Sequence, residues 1–282
     1  MRKPDYYIAS FSGGKDSTAM VLMLIDWGYP LDEVVCCDTT MEFPAMYRHI
    51  EKVRAVVEAA GIKFTMLRSE HDFEYYLTKH MAKREESSRY FGMPGYGWPG
   101  VRSRWCTKAL KVKLINDYIR TLRSSYNLKQ YIGIAADEEE RLERKHNQQK
   151  GKIYPLAEWG WTEEACLAYC YDHGYDWEGL YELFDRVSCW CCPLQSLSEL
   201  RTLRREFPHL WQELQDLDLR QMKPFRDGRS VMELEKRFTL EDALEAAGES
   251  IKNRAFFKDL KRLLADEATV DEIVEERRKK AA

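Results

Sequence analysis

Short apolar runs alternate with amphipathic stretches over the first half of the chain, a pattern typical of strands followed by helices. The runs that are rich in β-branched or aromatic residues predict strands at 6–11, 34–39, 63–68 and 130–135. The stretches with apolar residues at helical spacing predict helices at 18–27, 44–60, 72–83 and 108–122. This alternation indicates βαβ units, so we expect an α/β fold with a twisted parallel sheet and helices on both faces.

The pattern changes to helices alone after Pro155. Helices are predicted at 162–173, at 197–219 and through the tail from 231 to 280, whose basic end, 277–280, is expected to be solvated and frayed. Earlier in the chain, the glycines and prolines of 91–100 cannot sustain a helix or a ladder. We interpret that segment as a mobile loop near a site.

Composition excludes several classes of protein. Hydrophobic residues make up 44% and aromatic residues 12% of the 282 residues, which is typical of a folded globular chain and not of a disordered one. The longest apolar run, 19–25, is too short to cross a bilayer, and no apolar stretch follows the amino terminus. We therefore expect a cytoplasmic protein that is neither secreted nor membrane-spanning. The net charge of −3 gives no general affinity for polyanions.

The segment 12–17, Ser-Gly-Gly-Lys-Asp-Ser, lies between a predicted strand and a predicted helix. Its two glycines let the backbone approach an anion, and the positive end of the helix favours a phosphate there. An ordinary turn with a solvated lysine is the alternative. The glycine that a Walker A loop has four positions upstream is missing, which disfavours a kinase or a motor that cleaves the γ-phosphate.

This hexapeptide resembles the PP-loop of the ATP pyrophosphatases, which implies cleavage between the α- and β-phosphates with release of pyrophosphate. The resemblance covers roughly 6–194 and extends to the phosphoadenylyl sulfate (PAPS) reductase-like branch of that superfamily. It is carried by further motifs at 38–44, 104–111, 133–141, 154–156 and 161–162. The implied fold is adenine nucleotide alpha hydrolase-like. Thr40, Ala135 and Glu139 depart from the branch's pattern, and the changes at 135 and 139 weaken the case for a phosphosulfate substrate.

The resemblance also implies roles for individual residues. The β- and γ-phosphates would be held by Ser12, Gly13, Gly14, Lys15 and Ser17. Asp16 would help to hold Mg²⁺, unless it caps the helix. Nucleotide or Mg²⁺ contacts are expected where predicted strands end, at Asp38, Thr39 and Gly133. A charged wall would be completed by Arg104, Lys108, Asp137 and Arg141, each of which could instead form a solvated ion pair.

On this basis we divide the chain into three parts: a PP-loop nucleotide-binding domain at 1–158, a cysteine-containing segment packing on the site at 159–194, and a helical region at 195–282.

Eight cysteines without an export signal point to buried thiols, metal ligands or catalysis. Cys189 and Cys192 have the spacing that lets two thiolates reach one metal, and Cys106 lies in a motif that the resemblance places beside the nucleotide. A [4Fe-4S] cluster held by these three would keep one iron open for sulfide or substrate. Cys191 as a fourth ligand would favour structural zinc or a saturated cluster, and ordinary thiols or a redox dithiol are further alternatives. Core positions are expected for Cys36, Cys37, Cys166 and Cys170.

Basic residues flank the inferred site, which suits a nucleic acid but would also surround any ATP site. They are Arg102, Arg104, Lys108, Lys111, Lys113, Arg141, Arg144, Lys145, Lys150 and Lys152. Aromatic side chains expected to be available for stacking on bases are Tyr96, Trp98 and Trp105.

Reductases of the branch use a cysteine in a mobile carboxyl-terminal tail, but no cysteine follows Cys192 in this sequence. We therefore predict an ATP-dependent sulfurtransferase that adenylates an oxygen of its substrate and replaces it with sulfur delivered through the cluster. The favoured acceptor is a nucleic acid, as in the thiolating tRNA enzymes and the DNA phosphorothioation proteins. The expected partner is a cysteine desulfurase or another sulfur-donor protein. A divergent adenylyl sulfate or PAPS reductase, and a nucleotide-binding regulatory or scaffold subunit with structural zinc, are the alternatives.

Overall fold

The computed structural model describes residues 3–145, 147–226 and 228–281, in which five parallel strands form one sheet. The strands are β1 (Asp5–Phe11), β2 (Glu33–Asp38), β3 (Lys63–Arg68), β4 (Asn127–Ile132) and β5 (Lys152–Ile153). Their order across the sheet is β3-β2-β1-β4-β5, so the chain reverses its direction of travel at β1. In an open parallel sheet, ligands bind in the crevice beyond the carboxyl ends of the strands at such a switch point.

Helices connect the strands and make up the rest of the regular structure. They are α1 (Lys15–Asp26), α2 (Pro44–Ala59), α3 (Phe73–Thr78), α4 (Trp105–Thr107), α5 (Lys113–Arg123), α6 (Glu139–Leu142), α7 (Pro155–Glu158), α8 (Glu163–Asp172), α9 (Leu180–Leu183), α10 (Leu197–Glu206), α11 (Pro208–Leu219), α12 (Val231–Ala246), α13 (Arg254–Leu264) and α14 (Val270–Ala281). A π-helical segment, Lys108–Val112, joins α4 to α5, and a 3-10 turn, Trp177–Gly179, precedes α9. None of the helices in the described part of the chain has both the length and the apolar character needed to cross a bilayer.

The chain divides into two compact units. The first, here called the sheet unit, comprises the residues up to 76 together with 101–192. The second, here called the helical unit, comprises 77–100 together with the residues from 193 onward. Residues 77–100, which the sequence pattern assigned to the nucleotide-binding domain, thus group with the helices of the carboxyl-terminal region.

Each unit has its own apolar core. In the sheet unit, β1, β2 and the buried face of α1 contribute residues that are almost completely inaccessible, among them Ile8, Val34 and Met20. Central strands of a parallel sheet are covered on both faces, which is why their sequences are continuous apolar runs. In the helical unit, α12, α13 and α14 pack around Phe256 and Ile273. These findings confirm the predicted α/β fold with a helical carboxyl-terminal region.

Several predicted elements differ from the structure. The predicted helix at 197–219 is two helices, because Pro208 cannot continue α10 and instead occupies the first turn of α11. The predicted helix at 72–83 is only the short α3, and the two-residue strand β5 was missed. Arg277 is not solvated: its guanidinium pairs with Asp259 at 2.8 Å and with Glu249 at 3.1 Å, which fixes α14 to its own unit.

The segment 91–100 is anchored rather than wholly exposed. Trp98 is 5% exposed, its indole N–H donates to Asp218 at 2.8 Å, and its ring packs edge-on against Phe225. The residues before it, from Phe91 to Pro94, are exposed. The glycines and prolines therefore shape a loop whose second half is part of the helical unit's core.

Candidate functional site

Residues 12–14 form the turn between β1 and α1. Gly13 has φ of 80°, in the left-handed region that side chains disfavour. Gly14 stands before the first turn of α1 and offers no side chain to cap it, so the N–H groups of that turn are left for other partners. The Ser17 hydroxyl donates to the Gly14 carbonyl at 3.0 Å and lies 3.1 Å from the Ser12 hydroxyl, which braces the turn. The result is a backbone cradle at the positive end of a helix, an arrangement that favours an anion.

The end of β4 packs directly against this cradle. A Cβ atom added to Gly133, the residue that follows β4, would lie 3.0 Å from Ser17 Cα and 3.1 Å from Ser17 N. Both contacts are with backbone, so only glycine allows this approach without a shift. The loop after β1 and the segment after β4 therefore meet at the switch point of the sheet.

A carboxylate trio formed by Asp16, Glu138 and Glu163 lies beside the loop. One oxygen from each falls within 4.8 Å of the others, and no other group of three His, Cys, Asp or Glu ligand atoms in the described residues is as close. Lys15 Nζ is 3.3 Å from Asp16 and 3.2 Å from Glu163. Burial opposes the charge of Lys15, but the two carboxylates raise its pKa.

Within this trio, the pKa of the Asp16 carboxyl is raised by its surroundings. Burial raises its pKa to about 6, Lys15 opposes that shift, and the charges of Glu163 and Glu138 add to it. Its Oδ1 atom is buried, lies 3.3 Å from Lys15 Nζ and accepts no hydrogen bond among the described residues. Three converging carboxylates with one such oxygen suit a hard divalent cation, which takes oxygen ligands.

A second group of polar side chains lies where β2 ends. The backbone N–H of Trp190 donates to the Met41 carbonyl at 3.1 Å. This hydrogen bond holds the cysteine segment beside the residues that follow β2. Cys189 Sγ is 3.5 Å from Glu42 Oε1 and 3.6 Å from the Thr39 hydroxyl. Glu42 Oε1 also accepts the Thr39 hydroxyl at 2.8 Å and lies 3.7 Å from Lys111 Nζ.

Four thiols share this neighbourhood, and we call Cys106, Cys189, Cys191 and Cys192 the thiol cluster. Burial raises the pKa of Cys191 well above its ordinary value, and the other three thiols and Glu42 add to the rise. Burial also raises the pKa of Cys106, with a smaller contribution from Cys192. Cys191 is 1% exposed, whereas the three predicted ligands are only half-buried.

The sulfur atoms of the thiol cluster are spaced more widely than around a single ion. Within the described chain, no three of them fall within 4.8 Å of one another. A tetrahedral zinc with Zn–S bonds of about 2.3 Å holds its sulfurs roughly 3.8 Å apart. A four-iron cluster separates its cysteines further, because each sulfur binds a different iron.

Comparison with known protein families covers the residues that form this site. The model of the phosphoadenosine phosphosulfate reductase domain matches residues 6–195, which include the loop, the segment after β4 and the thiol cluster. The chain belongs to this reductase-domain family. It is therefore a member of the PP-loop superfamily with the adenine nucleotide alpha hydrolase-like fold.

A comparison with individual proteins also found a relative of this chain. It is the "Uncharacterized protein MJ0066" of Methanocaldococcus jannaschii, 28% identical over 224 residues, which are 77% of this chain and 42% of that protein. The chain thus spans about two fifths of the length of this relative.

Some of the charged residues assigned through the reductase-family motifs are engaged within the protein. The Asp137 carboxylate accepts the Glu163 N–H at 3.0 Å and so supports the start of α8. Arg141 donates to both oxygens of Glu138, at 2.8 and 2.9 Å, and reaches the carboxylate trio only through that residue. Arg104 and Lys108 are exposed and form no ion pair with the described residues.

Asp38 and Thr39 form hydrogen bonds where β2 ends. Asp38 Oδ1 accepts the Thr40 N–H at 2.7 Å and the Tyr47 hydroxyl at 2.9 Å, which stabilises the turn after β2. Thr40, where the reductase family has glycine, adopts φ of 65° and accepts the Phe73 N–H on its hydroxyl at 3.2 Å. Thr39 contacts the thiol cluster, so the nucleotide contacts predicted for Asp38 and Thr39 stay predictions.

The predicted stacking surface is wrong for two of its three residues. Trp98 is a core residue of the helical unit, and Trp105 is 8% exposed and packs against Phe73 and Tyr76 in the sheet unit. A tryptophan in a glycine-rich or basic segment can bury its ring while its neighbours stay polar, and the sequence alone does not separate the two cases. Of the predicted basic residues, three are paired with carboxylates: Lys111, Lys113 and Arg141.

The remaining cysteines largely follow the prediction. Cys36, Cys166 and Cys170 are fully buried core residues, whereas Cys37 is half-buried.

Residues that sequence reasoning missed complete the site. Glu138 lies in the family motif after β4, and Glu163 lies in the first turn of a predicted helix. Neither position by itself indicates a metal ligand. Tyr181, whose hydroxyl accepts the Lys15 N–H at 2.9 Å, carried no local signal at all.

Proposed function

We propose that this protein is an ATP-dependent, pyrophosphate-forming sulfurtransferase that activates an oxygen of its substrate as an adenylate. The observation that carries the proposal is the meeting of the 12–17 loop, Gly133 and the carboxylate trio at the switch point of the sheet. Membership of the reductase-domain family supports nucleotide chemistry at that point. The three half-buried thiols at the end of β2 support the transfer of sulfur.

The reaction divides into two displacements. In the first, an oxygen of the acceptor attacks the α-phosphorus of ATP, the bond to the α–β bridging oxygen breaks, and pyrophosphate leaves with the electron pair. In the second, a sulfur nucleophile attacks the atom that bears the activated oxygen, and AMP leaves. The loop N–H groups and Lys15 stabilise negative charge that grows on the departing pyrophosphate. This role matches the position of Lys15 in the first turn of α1.

The carboxylate trio fits Mg²⁺. Asp16, Glu138 and Glu163 would hold it, because carboxylate oxygens and water are its preferred ligands and Asp16 Oδ1 has no hydrogen bond of its own. When bound, Mg²⁺ neutralises charge on the phosphates. Lys15, which pairs with two of the carboxylates, would contact the phosphates beside this place.

The thiol cluster fits an iron–sulfur centre, because thiolates are the ligands of such clusters and the four thiols share one neighbourhood. Cys106, Cys189 and Cys192 would hold a [4Fe-4S] cluster, which supplies a site for sulfur when bound. Cys191 is fully buried and is not required as a ligand. The Glu42 carboxylate accepts hydrogen bonds from the Cys189 thiol and from the Thr39 hydroxyl, which keeps the Cys189 side chain in place.

A nucleic acid is the proposed acceptor, and a cysteine desulfurase or another sulfur-donor protein is the proposed source of sulfur. Support for a polyanion comes from exposed basic side chains that no carboxylate of the described chain neutralises, namely Arg104 and Lys108. Trp98 and Trp105 are buried, so the support for a polyanion comes from charge and not from these two rings.

Release of pyrophosphate tests the adenylation half. Protein purified without oxygen should release pyrophosphate from ATP and Mg²⁺ when RNA or DNA is present, and Lys15→Ala should lower the rate at least tenfold. Lys258→Ala is the matched control, because that lysine is exposed on α13 of the helical unit and belongs to none of the segments assigned to the site. Turnover that is undiminished in Lys15→Ala would contradict the proposal.

Metal content tests the sulfur half. Iron and acid-labile sulfide near four each per chain, lost in Cys106→Ala but retained in Cys37→Ala, are expected. Stoichiometric zinc without iron would make the cysteines structural and would remove the proposed route for sulfur.

A reductase of adenylyl sulfate or PAPS is the second candidate, and the family match favours it. Such a reaction needs a thiol that attacks the sulfonate, and residues 193–282 contain none. Release of sulfite from either substrate with thioredoxin as reductant would establish the reductase and displace the sulfurtransferase.

A further inference from the structure

The segment from 176 to 181, here called the tyrosine arm, has an unusual backbone. Trp177 and Glu178 are consecutive non-glycine residues in the left-handed region, with φ of 48° and 54°. Each such residue costs of order 1 kcal/mol or more and persists only where its surroundings fix it. One restraint is the ion pair in which Arg48, on α2, donates two hydrogen bonds to the Glu178 carboxylate.

The tyrosine arm is fastened to the phosphate loop through its tryptophan. The Trp177 indole N–H donates to the Gly13 carbonyl at 2.7 Å, and the ring is 1% exposed. The same ring stacks on His49 with centroids 4.4 Å apart, and His49 in turn lies 2.9 Å from the Thr18 hydroxyl on α1. The left-handed residues therefore serve to bring one side chain to the loop in a fixed position.

That side chain is Tyr181. Its oxygen accepts the Lys15 N–H at 2.9 Å and would lie 3.5 Å from a Cβ atom on Gly14. The Lys15 N–H belongs to the first turn of α1, where the N–H groups have no partner within the helix. The phenol thus occupies the mouth of the anion cradle, and its own proton has no acceptor among the described residues.

The phenol is held in its neutral form. Burial raises the pKa of Tyr181 and, although the Lys15 N–H opposes the shift, the charge of Asp16 adds to it. A neutral phenol whose oxygen already accepts one hydrogen bond can still donate its proton to an incoming oxyanion.

We propose that Tyr181 is a phosphate ligand of this site: its oxygen accepts the Lys15 N–H, and its proton is donated to an oxygen of the nucleotide's phosphate chain. The inference rests on the proposed function, since it requires that the 12–17 loop binds the phosphates of ATP. The strained tyrosine arm then holds the Tyr181 hydroxyl beside Gly14, which has no side chain that could contact a phosphate.

The test is the affinity of Tyr181→Phe for phosphate ligands. The variant keeps the ring, which packs edge-on against Trp177 at 4.8 Å between centroids, and loses only the hydroxyl. Calorimetric titrations would use an ATP analogue with a non-cleavable α–β linkage, inorganic pyrophosphate and adenosine, each with Mg²⁺. We expect the analogue and pyrophosphate to bind about ten- to a hundredfold more weakly, because a hydrogen bond to a charged group is lost, and adenosine to bind unchanged.

Tyr171→Phe is the matched control, because that tyrosine lies near the same tryptophan ring but is itself exposed. It should bind all three ligands as the wild type does. Thermal unfolding of both variants would confirm that each is folded.

Three other results would overturn the inference in distinguishable ways. Unchanged affinity of Tyr181→Phe for the analogue and pyrophosphate would show that the hydroxyl makes no contact with phosphate. Tighter binding would show that the hydroxyl blocks the cradle and must be displaced. Failure of the wild type to bind either phosphate ligand would overturn the proposed function together with the inference.

Discussion

At the scale of single residues, the distance between β4 and α1 depends on one missing methyl group. Gly133 faces the backbone of Ser17, and its φ is not in the left-handed region, so the requirement for glycine there is one of space. A backbone neighbour cannot rotate away as the end of a flexible side chain can. The cost of a larger residue must therefore be met by moving the loop or the strand end.

Gly133→Ala is expected to lower the free energy of unfolding by about 1–3 kcal/mol and to weaken ATP binding, because the loop must shift to admit the methyl group. Urea unfolding and nucleotide titration would measure the two effects. Gly100→Ala is the control, since a Cβ atom there meets nothing within 4 Å. Equal stability of the two variants would mean that the strand end yields without cost.

His49 is a buried imidazole with a pH-dependent contribution to stability. Burial lowers its pKa from 6.5 to about 3, with a further contribution from the charge of Lys52 and a small opposing one from Asp176. Between those values the unfolded chain binds a proton that the folded chain does not. The free energy of unfolding therefore decreases as the pH falls from about 6.5 toward 3, by about 1.4 kcal/mol per unit.

His49→Gln should remove this dependence while keeping a polar group beside Thr18. The loss of stability between pH 7.5 and pH 5 should be smaller in the variant than in the wild type by about 2 kcal/mol. Urea unfolding at the two pH values measures it, with the exposed His209→Gln as the control. An identical loss in the wild type and His49→Gln would show that burial does not lower the pKa of this imidazole.

At the scale of elements, the helical run from 105 to 123 contains a π-helical segment near its start. A π segment amounts to one extra residue in an α-helix, and such insertions are often found at functional sites. Here the segment separates Cys106, in the thiol cluster, from α5. Because one residue turns an α-helix by about 100°, the extra residue sets the direction in which Cys106 points.

Deletion of Ala109 is expected to convert the run to a continuous α-helix and to turn Cys106 away from Cys192. Alkylation of Cys106 should then be faster, and iron per chain should fall if the cluster is present. Ala109→Ser, which keeps the length, should leave both unchanged. Retention of iron in the deletion variant would argue that Cys106 is not a ligand.

Elements with a strong local pattern were predictable from the sequence. Strands β1 to β3 and helix α2 were placed to within a residue or two, because periodicity and flanking glycine or proline define them locally. The π-helical segment was not predictable, since 108–122 has ordinary helical spacing. Strand β5 has two residues and no pattern of its own.

The residues of the candidate site also divide into those that the sequence predicts and those that it does not. The 12–17 loop is one contiguous segment and was found at once, whereas Glu138, Glu163 and Tyr181 reach it from three different elements. Their convergence depends on how β4, α8 and the tyrosine arm pack, which a linear pattern does not encode. Trp98 was instead wrongly predicted to be available for stacking. It lies in a segment with the composition of a loop, but its hydrogen bond to Asp218 holds it in a core.

At the scale of the whole molecule, the two units should respond differently to a ligand. A nucleotide stabilises only the structure that it contacts, so protection should be local to the sheet unit. Hydrogen exchange with ATP and Mg²⁺ should slow at 12–20 and 133–141. Exchange around Leu244 and Phe256, in the core of the helical unit, should not change. Equal protection of both units would show that ATP also acts on the helical unit.

The central position of β1 has a consequence for how the protein folds during its synthesis. β1 pairs with β2, which follows it closely, but also with β4, in which residue 127 stands opposite residue 5. Closing so long a segment is slow, and during synthesis the loop is made well before Gly133 exists. The nucleotide site therefore cannot be complete until Gly133 has been made and has packed on the loop. A nascent or partly folded chain therefore lacks a complete nucleotide site, and we expect ATP to bind only after β4 has paired with β1.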